Sequence, residues 1–132
     1  PKQLNDEPEI DENGDETGRT QTGLKTLWKA KQNEIAASLL APSDWRVIKA
    51  KETSTNIPST WKTYRAAVRT ACNTRQGEID ACSDVAALKE LLFGSAQIQQ
   101  TDDDGNGVED DDGNPVMIDN PNIATAWPDP VE

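Results

Sequence analysis

The sequence predicts a mainly α-helical protein: a small helical hairpin with a third short helix, flanked by extended acidic arms at both ends. Residues 24–40 and 59–81 carry apolar side chains at helical spacing, and a shorter apolar segment follows. Acidic residues gather at the two ends, where little is apolar. We therefore divide the chain into an acidic arm, a helical hairpin domain, and an acidic loop with an extended C-terminal arm: residues 1–22, 23–95 and 96–132.

Charge is distributed unevenly along the chain, whose net charge is -11. Residues 1–20 carry seven acids and two bases, residues 102–132 carry ten acids and no base, and residues 21–101 are net +4. Affinity for DNA or RNA comes chiefly from Lys and Arg that neutralise phosphates. No stretch approaches the roughly 20 apolar residues of a membrane helix, and no secretory signal is recognisable. We expect a soluble protein without nucleic-acid or membrane partners.

The N-terminal arm, residues 1–22, combines Pro, Gly and Asn with many acids and offers almost nothing to bury. This composition is typical of a segment that stays unfolded alone and folds onto a partner.

The first helix is predicted from the three-and-four spacing of its apolar residues. Pro42 should end this helix, because proline cannot continue it, and Ser43-Asp44 favours a turn. We expect Trp45 to fold back over the helix end and residues 46–57 to form a connection. The apolar face of the helix consists of Leu24, Leu27, Trp28, Ile35 and Leu39.

A second helix should begin after Pro58, capped by Ser59 or Thr60, and run to about Ala81. Ser83 or Asp84 should cap a third helix, which Gly94 ends in the left-handed conformation. These short helices need a shared core. The second helix presents the stripe Trp61, Tyr64, Val68, Ala71, Cys72, Arg75 and Ile79, and the third presents Val85, Leu88, Leu91 and Leu92.

Turn-forming residues fill 101–115, and a short β-hairpin near 108–118 is possible. The last segment should be extended, with Trp127 as a partner-binding anchor between residues that Pro128 and Pro130 keep open.

No catalytic chemistry is indicated, since the chain has no histidine and no nucleophile or phosphate-binding motif. We predict that the protein is not an enzyme and has no cofactor. Cys72 and Cys82 are expected to be reduced, small buried residues.

Calcium is a weak alternative for the acidic loop. Asp102, Asp104 and Asn106 match the first half of a calcium-loop pattern. Gly113 stands where the pattern needs a bidentate Glu, which favours a solvated acidic turn. Titration with millimolar calcium would separate the two.

Basic residues line both main helices, with Arg65 and Arg69 on the second and Lys25, Lys29 and Lys31 on the first. They form either a solvated flank, with their stems over the core, or a surface for an acidic neighbour.

Three segments resemble the signatures of the phage tail assembly chaperone family. They are Leu39-Leu40-Ala41-Pro42-Ser43-Asp44-Trp45, Trp61-Lys62-Thr63-Tyr64-Arg65-Ala66-Ala67-Val68-Arg69, and Trp127-Pro128-Asp129-Pro130. Related modules resemble pieces of tail and fibre-associated proteins of tailed phages, including those of cyanobacteria. The resemblance covers roughly residues 24–93 and the C-terminal tryptophan.

The resemblance implies a hairpin clasp in which Trp61 and Tyr64 pack against Trp45, and Arg65 or Arg69 pairs with Asp44. The clasp residues are Leu39, Leu40, Asp44, Trp45, Trp61, Tyr64, Arg65 and Arg69.

The resemblance also implies a virion protein of the phage tail, made in the host cytoplasm. Its partners would be other tail proteins and further copies of itself. Long arms suit a subunit that stays in the particle, so we expect a structural component of the baseplate, fibre or tail surface. An assembly chaperone absent from the finished virion is the first alternative, and a calcium-stabilised binding module is the second.

Overall fold

A computed structural model describes residues 3–131 and shows a mainly helical chain with two small antiparallel strand pairs. In the described part, four α-helices lie between the strand pairs. The elements are β1 (Glu7–Ile10), β2 (Glu16–Gln21), α1 (Leu24–Leu40), α2 (Asp44–Thr53), α3 (Ser59–Ala81), α4 (Val85–Phe93), β3 (Gln97–Gln99) and β4 (Met117–Asp119).

The predicted first, second and third helices are confirmed as α1, α3 and α4. α1 and α3 lie antiparallel, since Lys29 near the start of α1 pairs with Asp80 near the end of α3 at 3.1 Å. Two groups of buried residues form the core. The first is Ala36, Tyr64, Val68 and Cys72, between α1 and α3, and the second is Ile79, Leu88 and Leu91, between α3 and α4.

The predicted connection over residues 46–57 is wrong, because α2 occupies most of it. Residues 41–43 form a 3₁₀ turn that carries Pro42 in its first positions. Proline is tolerated there because the first N–H groups of a helix have no partner within the helix. The chain therefore bends at Pro42 and starts a new helix at Asp44. Ser54, in the left-handed conformation at φ 54°, ends α2 by donating its N–H to Ala50 O.

Two predicted helix caps differ from the structure. Neither Ser59 nor Thr60 caps α3; Pro58 is the N-cap residue, and no side chain there accepts a hydrogen bond. Gly94 follows α4 in an extended conformation, with φ -66° and ψ 160°, so it is not left-handed. A side chain at Gly94 would approach Glu90 O to 2.4 Å, which explains why glycine stands there. The predicted Asp84 cap is present, accepting from Ala87 N at 2.7 Å.

The N-terminal segment is folded against its own helix in the described residues, contrary to the prediction of an arm that needs a partner. β1 pairs with β2, and residues 3–6 cover the start of α1. Gln3 O accepts from Leu24 N at 2.9 Å, and Asp6 Oδ1 accepts from Gly23 N at 2.6 Å. The unpaired amides at a helix start need such acceptors, which this segment supplies.

Residues 97–119, which follow α4, form a small β structure that we call the acidic head. It has three parts, which we call leaves: the β3–β4 pair and two small hairpins. β3 pairs with β4, and two small hairpins between them close at the bridges Thr101 with Gly107 and Glu109 with Pro115. The possible hairpin near 108–118 is therefore only part of a larger unit. The head carries eight acids and no base.

A ring of three backbone hydrogen bonds joins the leaves of the head. Gln100 N donates to Val116 O at 2.8 Å, Val108 N to Gln100 O at 2.7 Å, and Val116 N to Val108 O at 2.9 Å. Each residue both donates and accepts within the ring, so the junction satisfies its own backbone.

Candidate interaction surface

The segments 39–45, 61–69 and 127–130, which the sequence analysis singled out, meet at one place. Leu39 and Leu40 from the end of α1, Trp61 from the start of α3, and Trp127 from the C-terminal segment all pack against the first core group. Residues separated by almost 90 positions thus share one cluster, which is buried at Tyr64, Val68 and Cys72.

Arg65 connects the end of α1 to the start of α3. Its Nη1 donates to Leu40 O at 3.0 Å and Ser43 Oγ at 2.8 Å, and it lies 3.0 Å from Asp44 Oδ1. The Arg65 side chain is largely buried and Ser43 is fully buried. The expected ion pair with Asp44 is therefore formed by Arg65, and it is accompanied by two hydrogen bonds that the sequence did not suggest.

Trp45 does not cover the end of α1, and Tyr64 does not pack against it. Its ring is about half exposed on the first turn of α2, because α2 begins at Asp44. The guanidinium of Arg46 lies 4.6 Å from the Trp45 ring centre and 4.7 Å from that of Trp61. Arg46 thus separates the two tryptophans, whereas Trp61 and Tyr64 contact each other with their ring centres 6.0 Å apart.

Trp127 is half-buried on the protein's own helices. The Arg75 guanidinium lies 5.1 Å from its ring centre and donates to Thr125 O. Glu78 accepts from Thr125 N at 2.9 Å and Oγ1 at 3.0 Å. The ring therefore fastens the C-terminal segment to α3, while the following prolines, half-buried Pro128 and exposed Pro130, continue along the surface.

An open groove of about 790 Å³ lies between α2 and the start of α3. Val47, Ala50 and Ile57 give it an apolar part. Lys51, Lys62 and Arg69 add positive charge, and in the part of the chain that is described none of the three is paired with a carboxylate. Arg69 was expected in the clasp, but it lies along this groove.

Two of the three lysines of α1 contact Asp80 of α3, and the third pairs within its own helix. Lys25 Nζ donates to Asp80 O at 2.9 Å, and Lys29 forms the ion pair with the Asp80 carboxylate. Lys31 pairs with Glu34 at 3.4 Å. The basic surface available to a neighbour is thus the groove and not the α1 flank.

In the calcium candidate, the carboxylate of Asp102 accepts backbone hydrogen bonds within its own turn. Asp102 Oδ1 accepts from Asp104 N at 3.0 Å and Asn106 N at 2.9 Å. Asp110 repeats these contacts in the next leaf, and Asp11 repeats them between β1 and β2. Among residues 3–131, no group of three or more acidic or thiol side chains is arranged to hold a metal ion.

Both cysteines are free thiols, Cys72 buried and Cys82 half-buried. Burial raises the pKa of the Cys82 thiol. Because the thiolate is the nucleophilic form, this environment lowers its reactivity.

The acidic head was missed by sequence reasoning, although a signal for it exists. Residues 101–108, TDDDGNGV, recur as EDDDGNPV at 109–116, an eight-residue repeat with six identical positions. Each copy forms one leaf, with its glycine at positive φ: Gly105 at 83° and Gly113 at 82°. The exposed apolar residues Met117 and Ile118 of β4 lie on the same head.

None of the helices within the described residues is long and apolar enough to cross a membrane. No protein-family model, curated protein or solved structure matches the chain.

Proposed function

We propose that this chain is a non-catalytic structural component of a phage tail, located in the baseplate, a fibre or the tail surface. It binds other virion proteins through its helical hairpin and its terminal segments. The observation that carries the proposal is the convergence of the three family-like segments on one cluster, where Leu40, Trp61 and Trp127 all pack against the first core group. Three segments that resemble the signatures of one family and also lie together in space support a structural role like that of the family.

The exposed face of α2 is the binding surface that we favour within the hairpin. Trp45 and Ile48 are both more than half exposed, and Val47 is also exposed. Aromatic and basic side chains grouped in this way are typical of the residues that dominate binding energy at protein interfaces. Arg46 stacks on Trp45 and Trp61, so the aromatic group is ordered before any partner arrives.

A permanent subunit agrees better with these features than a chaperone that releases its client. The Arg65 hydrogen bonds fix the approach of α1 to α3, and the backbone ring fixes the head. Surfaces that are ordered beforehand lose less conformational freedom on binding, which favours long-lived contacts.

Quantitative mass spectrometry of purified virions tests the proposal against the assembly chaperone. The chain should be present at a fixed stoichiometric copy number that survives a high-salt wash. A phage protein known to act only inside the infected cell provides the background level. A copy number at or below that background would refute the structural role and select the chaperone.

A variant pair tests the α2 surface within the same experiment. Trp45→Ser with Ile48→Ser should reduce incorporation into particles at least tenfold, because both side chains are exposed and unneeded for the core. Leu27→Ser with Val85→Ser changes two other exposed apolar residues, outside α2 and outside the terminal segments, and is the matched control. Equal loss in both double variants would show that this face is not the contact.

A further inference from the structure

We infer that the basic groove between α2 and α3 binds the acidic head of a second copy of this chain. The inference rests on the proposed structural role and names one contact within it. The groove offers Lys51, Lys62 and Arg69 around an apolar part, and the head offers clustered aspartates beside exposed apolar residues.

Charge complementarity is the first argument. Residues 44–69 contain six bases and two acids, whereas the head contains eight acids and no base. Opposite potentials attract across an interface and fix its orientation, and like potentials exclude wrong partners. Although the whole chain has a net charge of -11, the groove is lined by basic residues and by no acidic residue, so it would attract an acidic segment.

Apolar complementarity is the second argument. Val47, Ala50 and Ile57 line the groove, and Met117 and Ile118 are exposed on the two faces of β4, so that either face of the strand offers one apolar side chain. Contact between the two sets would remove apolar surface from water on both sides. An interface with an apolar centre and a charged rim is the usual arrangement.

No residue of the head lines the groove of its own chain. The groove lies along the first part of α3 and includes Arg69, whereas α4 packs on Ile79, ten residues further along. That separation is about 15 Å along a helix. Asn120 holds the head on the α4 side through its hydrogen bonds to Glu90 Oε1 at 2.7 Å and Ser95 O at 2.9 Å. With the head held on the α4 side, the groove of its own chain stays open to the head of a second copy.

A contact of this kind joins two different surfaces, so repeated use produces a ring or an open chain of copies. Phosphate-rich nucleic acid is the competing occupant of a basic groove, and it serves as an outcome of the test.

Charge reversal in two variants provides the test, with association measured by sedimentation velocity of the full chain at low and at physiological salt. One variant reverses the groove with Lys51→Glu and Lys62→Glu. The other reverses the head with Asp103→Lys and Asp111→Lys, exposed positions that leave the Asp102 and Asp110 turn hydrogen bonds in place.

The wild type should self-associate, and each variant alone should do so at least tenfold more weakly. An equal mixture of the two variants should regain association, because each reversed surface meets its complement. Matched controls change the same charges elsewhere: Lys31→Glu with Lys89→Glu, and Glu12→Lys with Glu16→Lys. These should behave like the wild type, and circular dichroism checks that every variant is folded.

Carbodiimide cross-linking of mixed ¹⁴N- and ¹⁵N-labelled chains locates the contact. The head contains no lysine, so bonds from Lys51 or Lys62 to its aspartates identify the groove as the lysine side. Mixed-isotope products between these residues are the expected result.

A wild type that stays monomeric at about 1 mM would overturn the inference, as would variants that associate like the wild type. Binding of duplex DNA, lost on reversing the groove, in a chain that does not self-associate would assign the groove to phosphate instead. The outcome is independent of the virion measurement, because a chain absent from particles can still self-associate and a chain present in them can be a monomer.

Discussion

Arg65 and Asp44 form an ion pair of 3.0 Å in which only one partner is buried. The Arg65 side chain is 12% exposed and that of Asp44 is 57% exposed. Because Arg65 also donates to Leu40 O and Ser43 Oγ, the guanidinium depends more on its two neutral acceptors than on the carboxylate.

Replacing the two partners should therefore give unequal effects. Arg65→Ala should lower the free energy of unfolding by about 2 kcal/mol, because it removes charge-assisted hydrogen bonds and leaves buried Ser43 without this donor. Asp44→Asn should cost less than about 1 kcal/mol, since exposed ion pairs contribute little. Urea denaturation measures both. Equal losses would show that the ion pair, and not the hydrogen-bonded junction, connects α1 to α3.

Trp127 and Trp45 should differ in their importance for stability. Trp127→Ala removes a half-buried ring from the first core group and should cost about 2 kcal/mol. Trp45→Ala changes a ring that is about half exposed and stacks on Arg46, and it should cost about 0.5 kcal/mol. Guanidinium denaturation of the two variants decides the order. If Trp127→Ala were neutral, the C-terminal segment would not be fastened to α3.

The glycines of the head and of α3 provide a comparison with opposite signs. Gly113→Ala should destabilise the head by about 1 kcal/mol, because a side chain is strained at φ 82° even in open space. Gly77→Ala should stabilise α3 by about 0.5 kcal/mol, since no atom lies within 4 Å of the new carbon and alanine favours a helix. Thermal unfolding followed by circular dichroism measures both. A stabilising Gly113→Ala would contradict the turn geometry.

Asp6 should make part of the stability depend on acid pH. Hydrogen bonds from Gly23 N and then from Thr26 Oγ1 favour its carboxylate and lower its pKa below the ordinary value near 3.9. A carboxyl whose pKa is lower in the folded state stabilises the fold above the unfolded pKa and stops doing so as pH falls through the folded pKa.

The wild type should thus exceed Asp6→Ala in stability above about pH 5, and the difference should shrink below about pH 4. Urea denaturation from pH 2 to 7 follows it. Thr26→Val removes one of the two donors to Asp6, so the stability difference between the wild type and Thr26→Val should be smaller than that between the wild type and Asp6→Ala over the same pH range. A difference that does not change with pH would mean that Asp6 acts without its charge.

The helical part of the fold could be predicted because its apolar residues are periodic. The stripe from Trp61 to Ile79 lies on the core side of α3, and five of its members are buried. On α1 the pattern was less informative, because fully buried Gln32 replaces an apolar residue and Leu27 is exposed. Gln32 belongs there because its Oε1 accepts from Arg75 Nε at 2.7 Å, a contact across 43 residues that local spacing cannot reveal.

α2 and the head were missed for different physical reasons. None of the residues of α2 is buried, and its apolar side chains Val47 and Ile48 point to no core, so periodicity gives no signal. The head depends on backbone hydrogen bonds between repeats, which turn-forming residues permit but do not specify. Among the site residues, Asp44 was predicted to pair with Arg65 or Arg69, and the structure selects Arg65. The position of Arg46 between two tryptophans required the structure.

Lysine cross-linking of intact virions, read by mass spectrometry, is the most direct test of our proposal that the exposed α2 face holds this chain to other proteins of a phage tail. Lys49 lies 5.9 Å from the Trp45 ring centre and thus reports on the α2 surface. We predict cross-links from Lys49 to a second virion protein, and fewer of them per incorporated chain in particles that carry Trp45→Ser with Ile48→Ser. Particles in which the chain is present at stoichiometric level but Lys49 links only to its own chain would contradict the account.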